Sequence, residues 1–219
     1  FTAQNTSNAI VTSTVTVTPF YLNNTVNCPG PAQTFTFTIN PTPTVNATSD
    51  VSVCNGGSSS LITFNGTGTS YNWNNGNTAI GLSANGSNII PVFQGTNNSN
   101  NAINGTVTVT PIFENLGVSC PGPVDQFIIT VNPSPIVDDP TDQVICNNSS
   151  SVPVNFTGTG TSYTWINSNT GIGLGGNGSG NINSFNGINT STSPVSATIT
   201  VTPQFTGTNL TCPGAPQSF

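Results

Sequence analysis

Five cysteines are the residues of this chain best suited to covalent chemistry, and their spacing is regular. Cys28, Cys54, Cys120, Cys146 and Cys212 are separated alternately by 26 and 66 residues. Cysteines at regular spacings form disulfide frameworks when a protein reaches an oxidising compartment. Which of them pair depends on how the chain folds.

A second group with possible chemistry consists of aspartates. Asp138, Asp139 and Asp142 offer hard oxygen ligands, which suit calcium, and they lie close together in the sequence. The stretch 92 residues earlier keeps only one of them, as Asp50. A repeated calcium site is therefore not indicated, and the three aspartates are a weak calcium candidate.

Other features do not indicate catalysis. Glu114 and Asp125 are isolated, whereas a general acid–base pair needs two carboxyl groups in one cleft. The chain has no histidine, lysine or arginine to activate a nucleophile. The glycine-rich stretch GIGLGGNG at 171–178 lacks the strand-to-helix context of a nucleotide-binding loop. We expect a protein that is not an enzyme and binds no cofactor.

Composition also limits the partners. With no basic residue and a formal net charge of −6, the chain cannot neutralise phosphates, which excludes nucleic acid and anionic membrane surfaces. No apolar run reaches the 18 or so residues that a membrane span needs, so we expect no membrane insertion. Trypsin-like proteases, which cut after lysine or arginine, find no site.

The chain repeats with a period of 92 residues. Cys28, Cys120 and Cys212 are spaced by 92 residues, as are Trp73 and Trp165. Repeats of this size are whole domains rather than turns of a solenoid. We expect the chain to be part of a longer tandem array, divided into residues 1–40 (C-terminal part of a preceding module), 41–132 (a complete module) and 133–219 (a module lacking its last strand).

Alternating patterns predict an all-β fold. Val107 and Val109, and then Phe127, Ile129 and Val131, fall on one face of two successive strands. Further strands are expected at 43–53, ending at Cys54, and at 60–64, with short strands and loops from 74 to 104. Turn residues every 8 to 12 positions favour an antiparallel sandwich. The predicted core residues are Phe64, Trp73, Phe127, Phe156 and Trp165.

Several motifs together resemble the PKD-like, immunoglobulin-like repeats of very large Bacteroidetes cell-surface proteins. They are VCNGG at 53–57 and ICNNS at 145–149, GTSYNW at 68–73 and GTSYTW at 160–165, and TVTVTP at 106–111 followed by CPGP at 120–123. Gliding-motility adhesins and other type IX-secreted proteins belong to that group. The resemblance covers the whole chain, and it implies seven-stranded sandwiches, export to the cell surface and a role as a stalk or adhesive fibre.

Two functions from different classes remain open. The first is a structural and adhesive rod, in which the Asn-Pro-Thr-Pro and Asn-Pro-Ser-Pro joints stiffen the links between neighbouring modules. The second is a carbohydrate-binding or accessory module of a secreted enzyme, with Tyr71 and Trp73 as a platform for surface glycans. Tryptophan at this place in a sandwich is more often a core residue. Uncharged Thr, Ser and Asn ladders on the surface would also permit lateral self-association into fibres.

The implied sandwich bears on the cysteines. Pairing within modules would join Cys54 to Cys120 and Cys146 to Cys212. In an immunoglobulin-type sandwich, however, Cys54 and Cys120 lie at opposite poles, about 25 Å apart, whereas a disulfide allows about 5.5 Å between Cα atoms. Modules placed end to end would instead bring Cys54 towards Cys212. This argument favours a disulfide between modules, with the pairs within modules as the alternative. In the favoured case, Cys28, Cys120 and Cys146 would pair with modules of the array that lie beyond these 219 residues.

Overall fold

The computed structural model describes residues 2–219, in which all regular structure apart from two short 3-10 turns is β. We call residues 2–40, 41–132 and 133–219 the N-terminal, middle and C-terminal segments. The N-terminal segment forms two separate two-stranded ribbons, β1 with β4 and β2 with β3. Their strands are β1 (Val11–Val17), β2 (Phe20–Asn23), β3 (Val26–Pro29) and β4 (Gln33–Ile39).

The middle segment contains the largest sheet, with the strand order β5-β12-β10-β7-β8 and β11 paired to β10. The small pair β6 and β9 is separate from it. The strands of this segment are β5 (Val51–Cys54), β6 (Ile62–Thr63), β7 (Ser70–Asn75), β8 (Asn85–Ser87), β9 (Ile89–Ile90), β10 (Ile103–Asn115), β11 (Val118–Pro121) and β12 (Asp125–Asn132).

The core of the middle segment lies between the large sheet and the β6–β9 pair, an arrangement consistent with a β-sandwich. Val107, Ile129 and Val131 of the large sheet are fully buried, and they share one apolar cluster with Ile62 and Ile90 of the small pair. The alternation seen in the sequence thus places one face of β10 and β12 inside. The predicted all-β class agrees with this structure.

The C-terminal segment has a smaller sheet with the order β14-β13-β15-β16, and β17 pairs with β15. Its strands are β13 (Ser162–Asn167), β14 (Asn177–Ser179), β15 (Ile199–Thr206), β16 (Thr211–Pro213) and β17 (Gln217–Ser218). Residues 143–146, which correspond to β5, form no strand. This segment therefore repeats most of the middle sheet but not its β5 edge.

Strand pairing repeats with the same 92-residue offset as the sequence. Trp73 lies opposite Val109, and Trp165 lies opposite Val201. In the next pair of strands, Cys120 lies opposite Phe113 and Cys212 opposite Phe205. The two segments thus use one register for their shared strands.

All five predicted core residues are buried. Phe64, Trp73 and Phe127 belong to the middle cluster, whereas Phe156 and Trp165 belong to a separate cluster in the C-terminal segment. Trp73 is anchored by its indole N–H, which donates to the Ile89 carbonyl at 2.9 Å.

Three predictions about the strands need correction. The sheet is not wholly antiparallel, because β5 runs parallel to β12. The strand expected at 43–53 begins only at Val51. Side chains hold the stretch before it in another conformation. Asp125 accepts the Thr48 N–H at 2.9 Å, and Asp50 accepts the Ile128 N–H at 2.7 Å. The strand expected at 60–64 is reduced to Ile62–Thr63.

A fourth difference lies within residues 74–104, where short strands and loops were expected. Thr78–Ile80 is a 3-10 turn, and the Asn77 side chain caps it by accepting the Ala79 N–H at 3.1 Å. Thr170–Ile172 repeats the turn with Asn169 as its cap. Asparagine side chains that bond to a nearby backbone favour such turns over strands.

Candidate functional site

The joint between the middle and C-terminal segments is where the structure brings chemically distinctive residues together. Cys54, at the end of β5, is bonded to Cys212 in β16, with 5.6 Å between their Cα atoms. Cys54 is therefore not bonded to Cys120, and Cys146 is not bonded to Cys212. Cys28, Cys120 and Cys146 are free thiols. The bond is the one that the argument from the poles of the sandwich favoured.

The end of the middle segment that carries Cys54 is also the end where the chain leaves. Asn132, the last residue of β12, lies directly opposite Cys54, and its carbonyl accepts the Asn55 N–H at 2.8 Å. The Asn55 side chain reaches into the joint and donates to the Ser134 hydroxyl at 3.2 Å. Cys54 is thereby held beside the first residues of the next segment.

The Cys-Pro-Gly loop lies at the opposite end of each segment, next to its first prolines. A Cβ atom on Gly214 would collide with the Pro135 carbonyl, and one on Gly122 would collide with the Pro43 carbonyl. Only glycine permits so close an approach to the backbone. Cys212 is thus placed at the entry of the C-terminal segment, where it meets Cys54.

Additional contacts cross the joint. The Ser52 hydroxyl donates to the Thr208 carbonyl at 3.1 Å. Pro133 and Pro135 are both buried. Their fixed φ angles and buried rings restrict the link between the segments in addition to the disulfide.

Asn132 occupies an unusual position inside the joint. Its side chain is fully buried, and neither of its polar atoms has a hydrogen-bond partner among residues 2–219. A Cβ atom on Gly207 would lie 2.5 Å from the Asn132 Oδ1. Asn132 therefore fills the space that a side chain at position 207 would need.

At the corresponding joint upstream, the side chain of Asn40 has a hydrogen-bond partner, unlike that of Asn132 within residues 2–219. Asn115, at the position of Gly207, donates to Asn40 Oδ1 at 2.9 Å. The Asn40 amide also lies 3.7 Å from the Cys120 sulfur. Asn40 thus sits beside a free cysteine, at the place that Asn132 holds beside the disulfide.

The three calcium candidates do not converge on one site. Asp142 lines a different cleft from the one lined by Asp138 and Asp139. The Asp139 carboxylate accepts a bond from the Gln217 amide at 2.9 Å. Within residues 2–219, no group of three or more His, Cys, Asp or Glu side chains is placed to hold a metal ion.

The proposed sugar platform is not exposed. Trp73 is 3% exposed and Tyr71 is 8% exposed, so neither ring offers a free face to a ligand. In the C-terminal segment, burial raises the pKa of Tyr163, and the nearby Asp138 raises it further. These aromatic residues belong to the cores.

Sequence reasoning missed the role of a repeated asparagine. Asn5, Asn97 and Asn189 are spaced by 92 residues, and each accepts the N–H of the serine two positions later. Asn97 also donates to the Val131 carbonyl at 2.7 Å, and Asn5 donates to the Ile39 carbonyl at 2.9 Å. Alignment of the three copies would have shown these asparagines, although not the strand that they bind.

Comparison with known proteins gives no match: no family model matches the chain, and no curated protein matches it. In residues 2–219, none of the helical stretches has the length and apolar character that crossing a membrane requires.

Proposed function

We propose that this chain is a structural segment of a long extracellular surface adhesin or filament. Each repeat of 92 residues would be an immunoglobulin-like, PKD-like module, and the modules would follow one another as a stiff rod. The observation that carries this proposal is the disulfide between Cys54 and Cys212, which joins two repeats rather than closing one.

The position of this bond suits a load-bearing rod. The Asn132–Pro135 link and the disulfide connect the same two segments at one joint, so bending the joint must strain two covalent connections. A single flexible linker would leave neighbouring domains free to move. The contacts of Ser52 and Asn55 across the joint add to this restriction.

A place outside the cell agrees with the chemistry of the chain. Structural disulfides persist in oxidising compartments, and proteases that require lysine or arginine find no site. The role in surface attachment or gliding, and the absence of catalysis, are part of the proposal.

The neutral surface supports a filament. Hydroxyl groups meet across strands where other proteins use ion pairs, as between Thr14 and Thr36 at 3.4 Å and between Thr200 and Ser218 at 2.9 Å. Such rods carry few charges that could repel one another, so lateral association into fibres is part of the proposal.

Labelling of the source cells tests this function. Antibodies against the folded chain should bind intact cells as strongly as permeabilised ones, and electron microscopy should show the label on filaments. Label that appears only after permeabilisation would contradict the proposal. Tight, saturable binding of the purified chain to one sugar class on a glycan array would instead support a carbohydrate-binding module.

A further inference from the structure

The chain has two Asn-Pro peptide bonds, Asn40–Pro41 and Asn132–Pro133, and their asparagine side chains differ in hydrogen bonding. The Asn40 side chain accepts a hydrogen bond from Asn115 at 2.9 Å. The Asn132 side chain is fully buried, and within residues 2–219 neither its nitrogen nor its oxygen has a partner. A buried amide without a partner costs free energy, and each one in a folded protein calls for an explanation.

An asparagine that precedes a proline has a restricted chemistry. The usual ring closure of asparagine uses the backbone N–H of the next residue, and proline has no such N–H. The other ring closure runs from the asparagine side-chain nitrogen to the carbonyl carbon of the same residue, and it breaks the bond to the proline. At Asn132–Pro133 this reaction would cut the chain between the middle and C-terminal segments.

The side chain of Asn132 is free to make this attack. Its nitrogen can turn towards its own carbonyl without giving up a hydrogen bond to any of residues 2–219, whereas a bonded amide must lose one. The room beside it comes from Gly207, since a Cβ atom there would lie 2.6 Å from Asn132 Nδ2. Burial also keeps water, the competing nucleophile, away from the amide.

The carbonyl group of Asn132 is positioned and polarised by Asn55. The Asn55 N–H donates to the Asn132 carbonyl oxygen at 2.8 Å. A backbone N–H aimed at this oxygen stabilises the negative charge that develops on it during attack. The Asn55 side chain also donates to the Ser134 hydroxyl at 3.2 Å, which holds the chain beyond the bond to Pro133. One neighbour thus positions both sides of the bond that would break.

We propose that Asn132 cleaves the chain at its own bond to Pro133. Asn132 Nδ2 forms a bond to the Asn132 carbonyl carbon, and the bond from that carbon to the Pro133 nitrogen breaks. One proton of Nδ2 passes to the Pro133 nitrogen. The upstream piece then ends in a succinimide ring, and the downstream piece begins with the amino group of Pro133. No water, oxidant or other reagent is consumed.

The disulfide determines what this cut does to the joint. Cys54 belongs to the upstream piece and Cys212 to the downstream piece, so the pieces stay covalently connected after cleavage. The joint then has one covalent connection instead of two, and the disulfide alone carries tension between the segments. Reduction of the disulfide would allow the pieces to separate, which makes the continuity of a cleaved rod dependent on redox conditions.

Electrophoresis with and without a reducing agent tests the cut. Samples of the folded chain stored over weeks should stay one band without reductant and should increasingly give fragments 1–132 and 133–219 with it. Mass spectrometry should show the upstream fragment one water molecule lighter than simple hydrolysis would leave it. The chain has no lysine, so an amine-reactive dye should begin to label Pro133 as a new terminus.

Three substitutions separate the geometry of the joint from the lability of any Asn-Pro bond. Gly207→Asn supplies the residue that partners Asn40 upstream, and it should slow the cut at least about fivefold. Thr208→Asn adds the same side chain at the next, exposed position and should leave the rate unchanged. Asn132→Gln keeps an amide but cannot form the five-membered ring, so it should abolish the cut.

The Asn40–Pro41 bond is a control within the same chain. In the folded chain the Asn132–Pro133 bond should break at least about tenfold faster, and unfolding in urea should make the two rates equal. This comparison decides the question even if a variant fails to fold.

Four results would overturn the inference: a folded chain that stays uncut at Asn132, equal rates at the two bonds in the folded chain, an upstream fragment that never carries the ring, or equal rates in Gly207→Asn and Thr208→Asn. The inference goes beyond the proposed surface function. Its failure would leave the surface-labelling result unaffected.

Discussion

Residues 51–54 and 143–146 occupy the same position in the middle and C-terminal segments, yet only the first stretch forms a strand. The sequence VSVC pairs with β12 in parallel, whereas QVIC has no strand beside it. Both stretches contain β-branched residues that favour strands. The difference teaches that this edge of the sheet depends on its neighbour more than on its own sequence.

The cores of the two segments also differ, because only the middle core contains residues of β12. The middle cluster includes Ile129 and Val131 from β12, whereas the C-terminal cluster has fewer buried residues and borders an open cleft. The disulfide joins these two segments and should therefore couple their unfolding.

The largest expected effect comes from uncoupling the segments. Cys54→Ser with Cys212→Ser opens a loop of 158 residues, and loop-closure entropy puts the loss at up to about 5 kcal/mol. The melting temperature should fall by roughly 10–20 °C, as measured by calorimetry. Cys28→Ser is the control and should leave it unchanged. An unchanged melting temperature in the double variant would mean that the bond does not stabilise the joint.

A smaller effect on stability should distinguish the buried strand β12 from the more exposed strand β4 of the ribbon. Ile129→Ala should cost about 3 kcal/mol because Ile129 is fully buried. Phe35→Ala, in β4 of the ribbon, should cost less than about 1 kcal/mol, because Phe35 is 49% exposed. Urea unfolding measures both changes. Equal losses would show that the ribbon is packed as tightly as the middle sheet.

The two tryptophans offer a finer comparison. Trp73 donates its indole N–H to the Ile89 carbonyl, whereas the Trp165 indole N–H is buried without a partner in residues 2–219. Substitution by Phe should therefore destabilise the chain more at 73 than at 165, with a difference of about 1–2 kcal/mol. Urea unfolding of Trp73→Phe and Trp165→Phe would reveal it, and a larger loss at 165 would contradict the assignment.

The smallest effect should come from salt. The chain holds no basic side chain, so no side-chain ion pair can be screened, and the hydroxyl contacts between strands are neutral. The melting temperature should be nearly the same at low and high sodium chloride in both segments. A sharp fall at high salt would show that charge interactions hold the fold.

Much of the fold could be predicted from sequence because alternation reports burial directly. The pattern at Val107, Val109 and Phe127 predicted the buried face of β10 and β12. The placing of Cys54 and Cys120 at opposite poles likewise pointed to a bond between segments. The first inference uses a pattern within each strand, and the second uses the position of each cysteine within its own repeat.

The remaining features depend on contacts that the sequence does not show. The parallel pairing of β5 depends on which strand lies beside it, and a run of four residues does not specify its neighbour. Asn132 looks like a turn residue, but it is fully buried because the next segment packs over it. The role of Asn97 likewise requires the Val131 carbonyl, 34 residues away.

The central claim, a disulfide that joins one segment to the next, can be tested by pulling a single chain from its two ends. With Cys54 bonded to Cys212, the 158 residues between them cannot extend, so the oxidised chain should be about 550 Å shorter at full extension than the reduced chain. Bonds within segments would instead hide 66 residues in each, and reduction would then lengthen each segment's own unfolding step by about 230 Å. The first result is the one predicted here, and the second would contradict it.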